Sequence, residues 1–131
     1  MIGVDTNVLV RYFIKDDPVQ THAAVKLVQG LSPDKPGWIG LLVLAELAWT
    51  LRRLYKLDRV AIAGIIEKLL ISTDIVLEAR DAVRQALLLY RKSNADFADC
   101  VIAVAARVAG CSSIVTFDEI AARDLGMELV K

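Results

Sequence analysis

Met1-Ile2-Gly3-Val4-Asp5-Thr6-Asn7 runs directly into Val8-Leu9-Val10-Arg11-Tyr12-Phe13-Ile14. A short apolar run, a polar corner and then an apolar segment with helical spacing read as a strand feeding a helix, with Asp5 at the strand's carboxyl end. The same alternation continues down the chain. Asp17-Pro18 supplies an N-cap and a first-turn proline for a helix to about Leu31, and Ser32-Pro33-Asp34-Lys35-Pro36-Gly37 is a loop by composition. Trp38-Ile39 is a very short second strand. Leu41 to Tyr55 is a long leucine-rich helix and Asp58 caps another to about Leu70, so the two form a helical hairpin. Asp74 to Leu77 is a third strand, and Ala79 to Arg91 an amphipathic helix with Val83, Ala86, Leu87 and Tyr90 on its apolar face. Phe97 to Ala109 is an apolar helix stopped by Gly110. Ile114-Val115-Thr116 gives a fourth strand, Glu119 to Asp124 a short helix closed by Gly126, and Met127 to Val130 a last strand. Strands alternating with helices imply an α/β fold, a mostly parallel central sheet covered on both faces and joined by right-handed crossovers.

The chain's 131 residues suit one domain, residues 1–131, able to bury roughly two thirds of the surface of the unfolded chain. Apolar residues make up 56%, a surplus that points to surface covered by another chain. Sixteen basic and sixteen acidic residues leave no net charge, which argues against a generic charge-driven nucleic-acid binder but permits a local basic patch. Arg52-Arg53 with Lys56 and Arg59 reads either as such a patch, for phosphate or a partner, or as a solvated helix end. Every apolar run is broken by a charge well before the roughly 18 residues of a membrane span. No basic n-region precedes Asp5, so no secretory leader is expected. Cys100 and Cys111 lack Cys-x-x-Cys spacing and read as reduced core residues of a cytoplasmic protein.

Four acids stand in strongly apolar context: Asp5, Glu46 within Leu41 to Trp49, Asp99 within Phe97 to Ala106, and Asp118 after Ile114-Val115-Thr116-Phe117. Taking a carboxylate out of water is unfavourable by several kcal/mol unless a cation or donors replace the solvent, so these four are expected to share a cation site. Asp5 and Asp118 occupy strand ends, where sites form in open parallel sheets. Leu42, Val43 and Trp49, at i−4, i−3 and i+3, surround Glu46 with an apolar face and predict that it points inward. Asp99 lies in the first turn of its helix, with Asp96 three residues earlier. Converging carboxylates repel and take up protons, whereas Mg²⁺ or Mn²⁺ would hold them ionised. Capping is the competing role for Asp5, Asp96, Asp99 and Asp118, and an ion pair with Arg11 or Arg52 for Glu46. The single His22 has no nucleophile beside it, and no glycine-rich phosphate loop follows the first strand.

Asp5-Thr6-Asn7 at the N-terminus, Glu46 in an apolar helix, Asp96-Phe97-Ala98-Asp99 followed by Ile102-Ala103, and Thr116-Phe117-Asp118 near the C-terminus together resemble the PIN-domain nucleases, in particular the VapC-type toxins of toxin-antitoxin systems. The resemblance spans almost the whole chain. It implies a three-layer α/β/α sandwich and a Mg²⁺- or Mn²⁺-dependent endoribonuclease that hydrolyses RNA phosphodiester bonds. It places Asp5, Glu46, Asp99 and Asp118 as metal-binding catalytic acids, with Thr6, Asn7, Asp96 and Thr116 in support. The family's fourth acid is its most variable element, so either Asp118 or Asp96 fills that place. It further implies a homodimer and an antitoxin whose helix lies on the apolar hairpin 41–71. Two other readings compete: a phosphohydrolase with Asp5 as nucleophile, which lacks a second acid because Asn7 stands two residues on, and a non-catalytic RNA- or protein-binding module.

Overall fold

The computed structural model describes residues 1–131 and contains seven helices and five strands. In chain order these are β1 (Ile2–Gly3), α1 (Thr6–Phe13), α2 (Pro18–Gln29), β2 (Gly37–Ile39), α3 (Leu41–Arg53), α4 (Arg59–Ile71), β3 (Ile75–Leu77), α5 (Arg80–Lys92), α6 (Phe97–Val108), β4 (Val115–Thr116), α7 (Glu119–Leu125) and β5 (Glu128–Leu129). Each predicted element is present, within the end-of-element variation that helix fraying allows. Asp17 and Asp58 cap α2 and α4 as expected, accepting from Gln20 N at 3.0 Å and Ala61 N at 2.8 Å. Gly110, at φ +91°, and Gly126, at φ +70°, take the left-handed conformation that ends α6 and α7.

The architecture is the three-layer α/β/α sandwich. All strand pairs are parallel, but the sheet comes in two pieces rather than one. The first has the order β1-β2-β3, with Gly3 opposite Trp38 and Trp38 opposite Val76. The second pairs β4 with β5, Thr116 opposite Leu129. Strands of two or three residues offer few ladder bonds, and none joins the two pieces. Gly37 lies on the central strand of the first piece, where a Cβ would meet Leu31, Val4 and Ile75 side-chain atoms at 3.0–3.3 Å, so a larger residue would have to push these core side chains back.

One apolar cluster unites the elements, and Ile39, Leu44, Leu47, Leu51, Ile66, Val83 and Cys100 lie wholly inside it. The buried face of α5 is Val83, Ala86, Leu87 and Tyr90, the four that periodicity selected. The cysteines separate: Cys100 is buried, its thiol pushed up to about 11 by burial, whereas Cys111 is exposed and not a core residue. Helix α3 packs against both α1 and α6. Those contacts bring the helix that carries Glu46 against the segments that carry Asp5 and Asp99. No helix is long and apolar enough to cross a membrane.

Candidate active site

Where β1 passes into α1, Asp5 is the N-cap residue and its Oδ1 accepts from Thr6 N at 2.7 Å. The Thr6 hydroxyl then donates to Glu46 Oε1 at 3.0 Å, tying the strand end to α3. Asp5, Thr6, Asn7, Glu46, Thr50 and Tyr55 line a cleft of about 360 Å³. Arg11 also reaches it, but its guanidinium is engaged elsewhere: Nε donates to Gln20 Oε1 at 2.6 Å, and Nη1 to Asp16 at 3.0 Å and Tyr55 Oη at 3.1 Å. Neither Asp5 nor Glu46 forms an ion pair.

The inward orientation expected for Glu46 is not observed. Glu46 is exposed, and so are Leu42 and Trp49, one turn to either side of it. The apolar residues around Glu46 form part of an exposed stripe of α3, while Leu44, Leu47, Ala48 and Leu51 make the buried face. In a helix apolar nearly all round, apolar neighbours do not identify the buried side. The ion pair with Arg11 or Arg52 is likewise absent.

Beside α3, Asp96 is the N-cap residue of α6, without a side-chain capping bond, and Asp99 lies in the first turn. Asp99 is half-buried, and its carboxyl is held above the usual carboxylate range, by burial first, then by the charge of Asp118, then by that of Asp96. Asp118 is exposed and caps α7, accepting from Ala121 N at 2.9 Å. The Thr116 hydroxyl accepts from Asp118 N at 3.0 Å and so fixes the turn that presents this acid.

The candidate acids therefore fall into two half-sites beside α3: Asp5 with Glu46, and Asp99 with Asp118 and the supporting Asp96. The expectation that all four are isolated from water is corrected: no charged side chain is fully buried, and Asp5, Glu46 and Asp118 are exposed. No three His, Cys, Asp or Glu side chains converge closely enough to cage a metal ion. The all-oxygen donor set still suits a hard dication. Mg²⁺ keeps several waters and commonly binds through one or two carboxylates together with substrate phosphates, rather than inside an all-protein cage.

One positioning residue escaped the sequence reading. Helix α3 begins at Gly40, which offers no side-chain cap, and Glu78 Oε1 instead accepts from Leu41 N at 3.1 Å. A carboxylate there also complements the positive end of the helix. The signal was present, since Glu78 ends the apolar run Ile75-Val76-Leu77 just as Asp5 and Asp118 end theirs.

Residues 2–124 match the model of the PIN domain family. A relative from Aquifex aeolicus (strain VF5), a VapC ribonuclease, is 32% identical over 75 residues, covering 57% of this chain. The match spans 56% of that relative, little more than half its length. With the PIN model matching nearly the whole chain, this chain belongs to the PIN domain family.

Proposed function

We propose that this chain is a divalent-metal-dependent endoribonuclease of the toxin class, a single cytoplasmic nuclease domain over residues 1–131 that hydrolyses RNA phosphodiester bonds. The observation that carries this is the 3.0 Å hydrogen bond from Thr6 to Glu46, which sets Asp5 and Glu46 on one cleft while the neighbouring face of α3 shares a cavity with Asp96 and Asp99. The PIN family match and the likeness to a VapC ribonuclease support it.

Asp5, Glu46, Asp99 and Asp118 would hold Mg²⁺ or Mn²⁺, with Asp96 the alternative to Asp118. The cation, when bound, makes a water more acidic and offsets charge on the phosphate oxygens. The protein's part is orientation. The Thr6 hydroxyl fixes one oxygen of Glu46, and the Thr116 hydroxyl fixes the Asp118 turn. Asn7 adds a polar wall to the cleft. The Asp99 carboxyl is raised by burial first and then by the charges of Asp118 and Asp96, and a nearby cation would act against the latter two. No covalent intermediate is required.

The hairpin of α3 and α4 exposes Leu42, Leu54, Val60 and Ile71. These form the surface we assign to the helix of an antitoxin, and a further exposed group, Ile102, Val108, Val115 and Phe117, supplies apolar area for a homodimer. Incubating the purified chain with mixed RNAs, with Mn²⁺ or with EDTA, tests the activity. Cleavage confined to the Mn²⁺ arm is expected; retention of RNA without cleavage would favour a binding module, and a trapped phospho-aspartate at Asp5 a phosphohydrolase.

A further inference from the structure

The acids of the second half-site share a narrow cavity with an unusual wall. Trp49, Arg52, Arg53 and Arg59 line it together with Asp96 and Asp99. Three guanidiniums and two carboxylates face one space, yet none of them is ion-paired; the four ion pairs of the protein all lie elsewhere. Arg59 is fixed, its guanidinium carbon 3.9 Å from the centroid of the Tyr90 ring and its Nη2 donating to the Tyr90 carbonyl at 2.6 Å. Arg52 has one long bond, to the Leu57 carbonyl at 3.4 Å, and Arg53 makes no side-chain hydrogen bond. Their donors remain available to an anion.

Size decides what that anion can be. The cavity measures about 70 Å³, far below the roughly 300 Å³ of a pocket that encloses a small molecule, so it admits a phosphate group but no nucleoside. Trp49 is 54% exposed, which leaves it open to stacking from outside. Glu46, Trp49 and Arg53 follow one another at i, i+3 and i+7 on α3, a rise of about 10 Å from the first acid pair to the free guanidinium. A single strand lying along this stripe meets carboxylates, an aromatic ring and arginines in turn, the combination that holds single-stranded nucleic acid.

We propose that this cavity is a phosphate subsite for the RNA nucleotide next to the scissile one, with Arg52 and Arg53 taking the phosphate and Trp49 stacking the base. It rests on the nuclease reading above. These are positioning residues: they act on where the strand lies.

The test uses the full chain, a short single-stranded oligoribonucleotide and Mn²⁺, with KM, kcat and the salt dependence of binding read separately. Replacing Arg52 and Arg53 together with Ala should raise KM by about 10- to 100-fold, far more than it lowers kcat. It should also flatten the slope of log affinity against log salt by about 0.7 for each phosphate that the protein no longer neutralises. Trp49→Ala should raise KM by about 5- to 150-fold, and Trp49→Phe should restore most of that. Arg84→Ala serves as the charge control, because its guanidinium pairs with Asp81 on α5 and does not line this cavity. KM and salt slope unchanged in a protein that still cleaves would overturn the subsite and leave the nuclease reading standing. Unchanged KM with altered self-association would give the surface to a protein contact, again overturning it. Absence of divalent-dependent cleavage by the wild-type chain would overturn both.

Discussion

The two half-sites beside α3 are built in opposite ways. Asp5 and Glu46 are exposed and ordered by hydrogen bonds, through the Thr6 amide and the Thr6 hydroxyl. Asp99 is ordered by position alone: it is half-buried, accepts no protein hydrogen bond and is crowded by Asp118 and Asp96. The first half is ordered by its own hydrogen bonds, whereas the second sets a partly buried carboxylate beside two like charges, which the proposed cation would offset. On the proposed reading, a metal-dependent centre would be assembled from one preorganised side and one side poised for charge compensation.

The largest expected effects make the halves look alike. Asp5→Asn and Asp99→Asn should each lower Mn²⁺-dependent RNA cleavage by more than about 100-fold, since even residues that merely orient metal ligands are worth 10- to 100-fold. Rates measured under single-turnover conditions check this, and survival of activity in one variant would remove that half from the centre. Next in size, Thr6→Val should cost about 10- to 100-fold by releasing Glu46, with Thr6→Ser retaining most activity. No hydroxyl contact of this kind supports Asp99, so this effect belongs to the first half only.

Stability should separate the halves. Glu78→Ala removes the only cap on the helix that both share, and should cost about 1 kcal/mol in chemical denaturation. In EDTA, Asp99→Asn should be more stable than wild type at neutral pH, whereas Asp5→Asn should lie within a few tenths of a kcal/mol of it, because Asn caps a helix as well as Asp. The sign for Asp99 follows from its raised folded-state value: its favourable contribution is full below the unfolded value and is lost as pH rises through the folded one. The stability gap between wild type and Asp99→Asn should therefore close as pH falls into the ordinary carboxylate range. A gap that widened on acidification would contradict the crowding at Asp99.

Much of this is legible in the amino-acid sequence. Short apolar runs closed by Asp5 and Asp118, the proline and cap at Asp17-Pro18, and the 3.6-residue period through Val83, Ala86, Leu87 and Tyr90 are local signals, and local signals fix the elements. Directions across elements are harder. The apolar neighbours of Glu46 predict an inward side chain, yet Leu42 and Trp49 are themselves on the surface. The cap from Glu78 to Leu41 spans 37 residues, and the charge of Asp118 acts on Asp99 across two elements, so neither has a counterpart in local spacing. The division of the sheet into two parallel pieces is equally invisible, because it depends on ladder bonds that very short strands fail to make.

Mn²⁺ affinity, measured calorimetrically on the wild-type chain and on Asp5→Asn and Asp99→Asn, tests whether the two halves serve one cation centre. Both variants should weaken the same binding event by at least about 10-fold. A variant that binds Mn²⁺ as tightly as wild type would show that its half stands apart, and would contradict the shared centre.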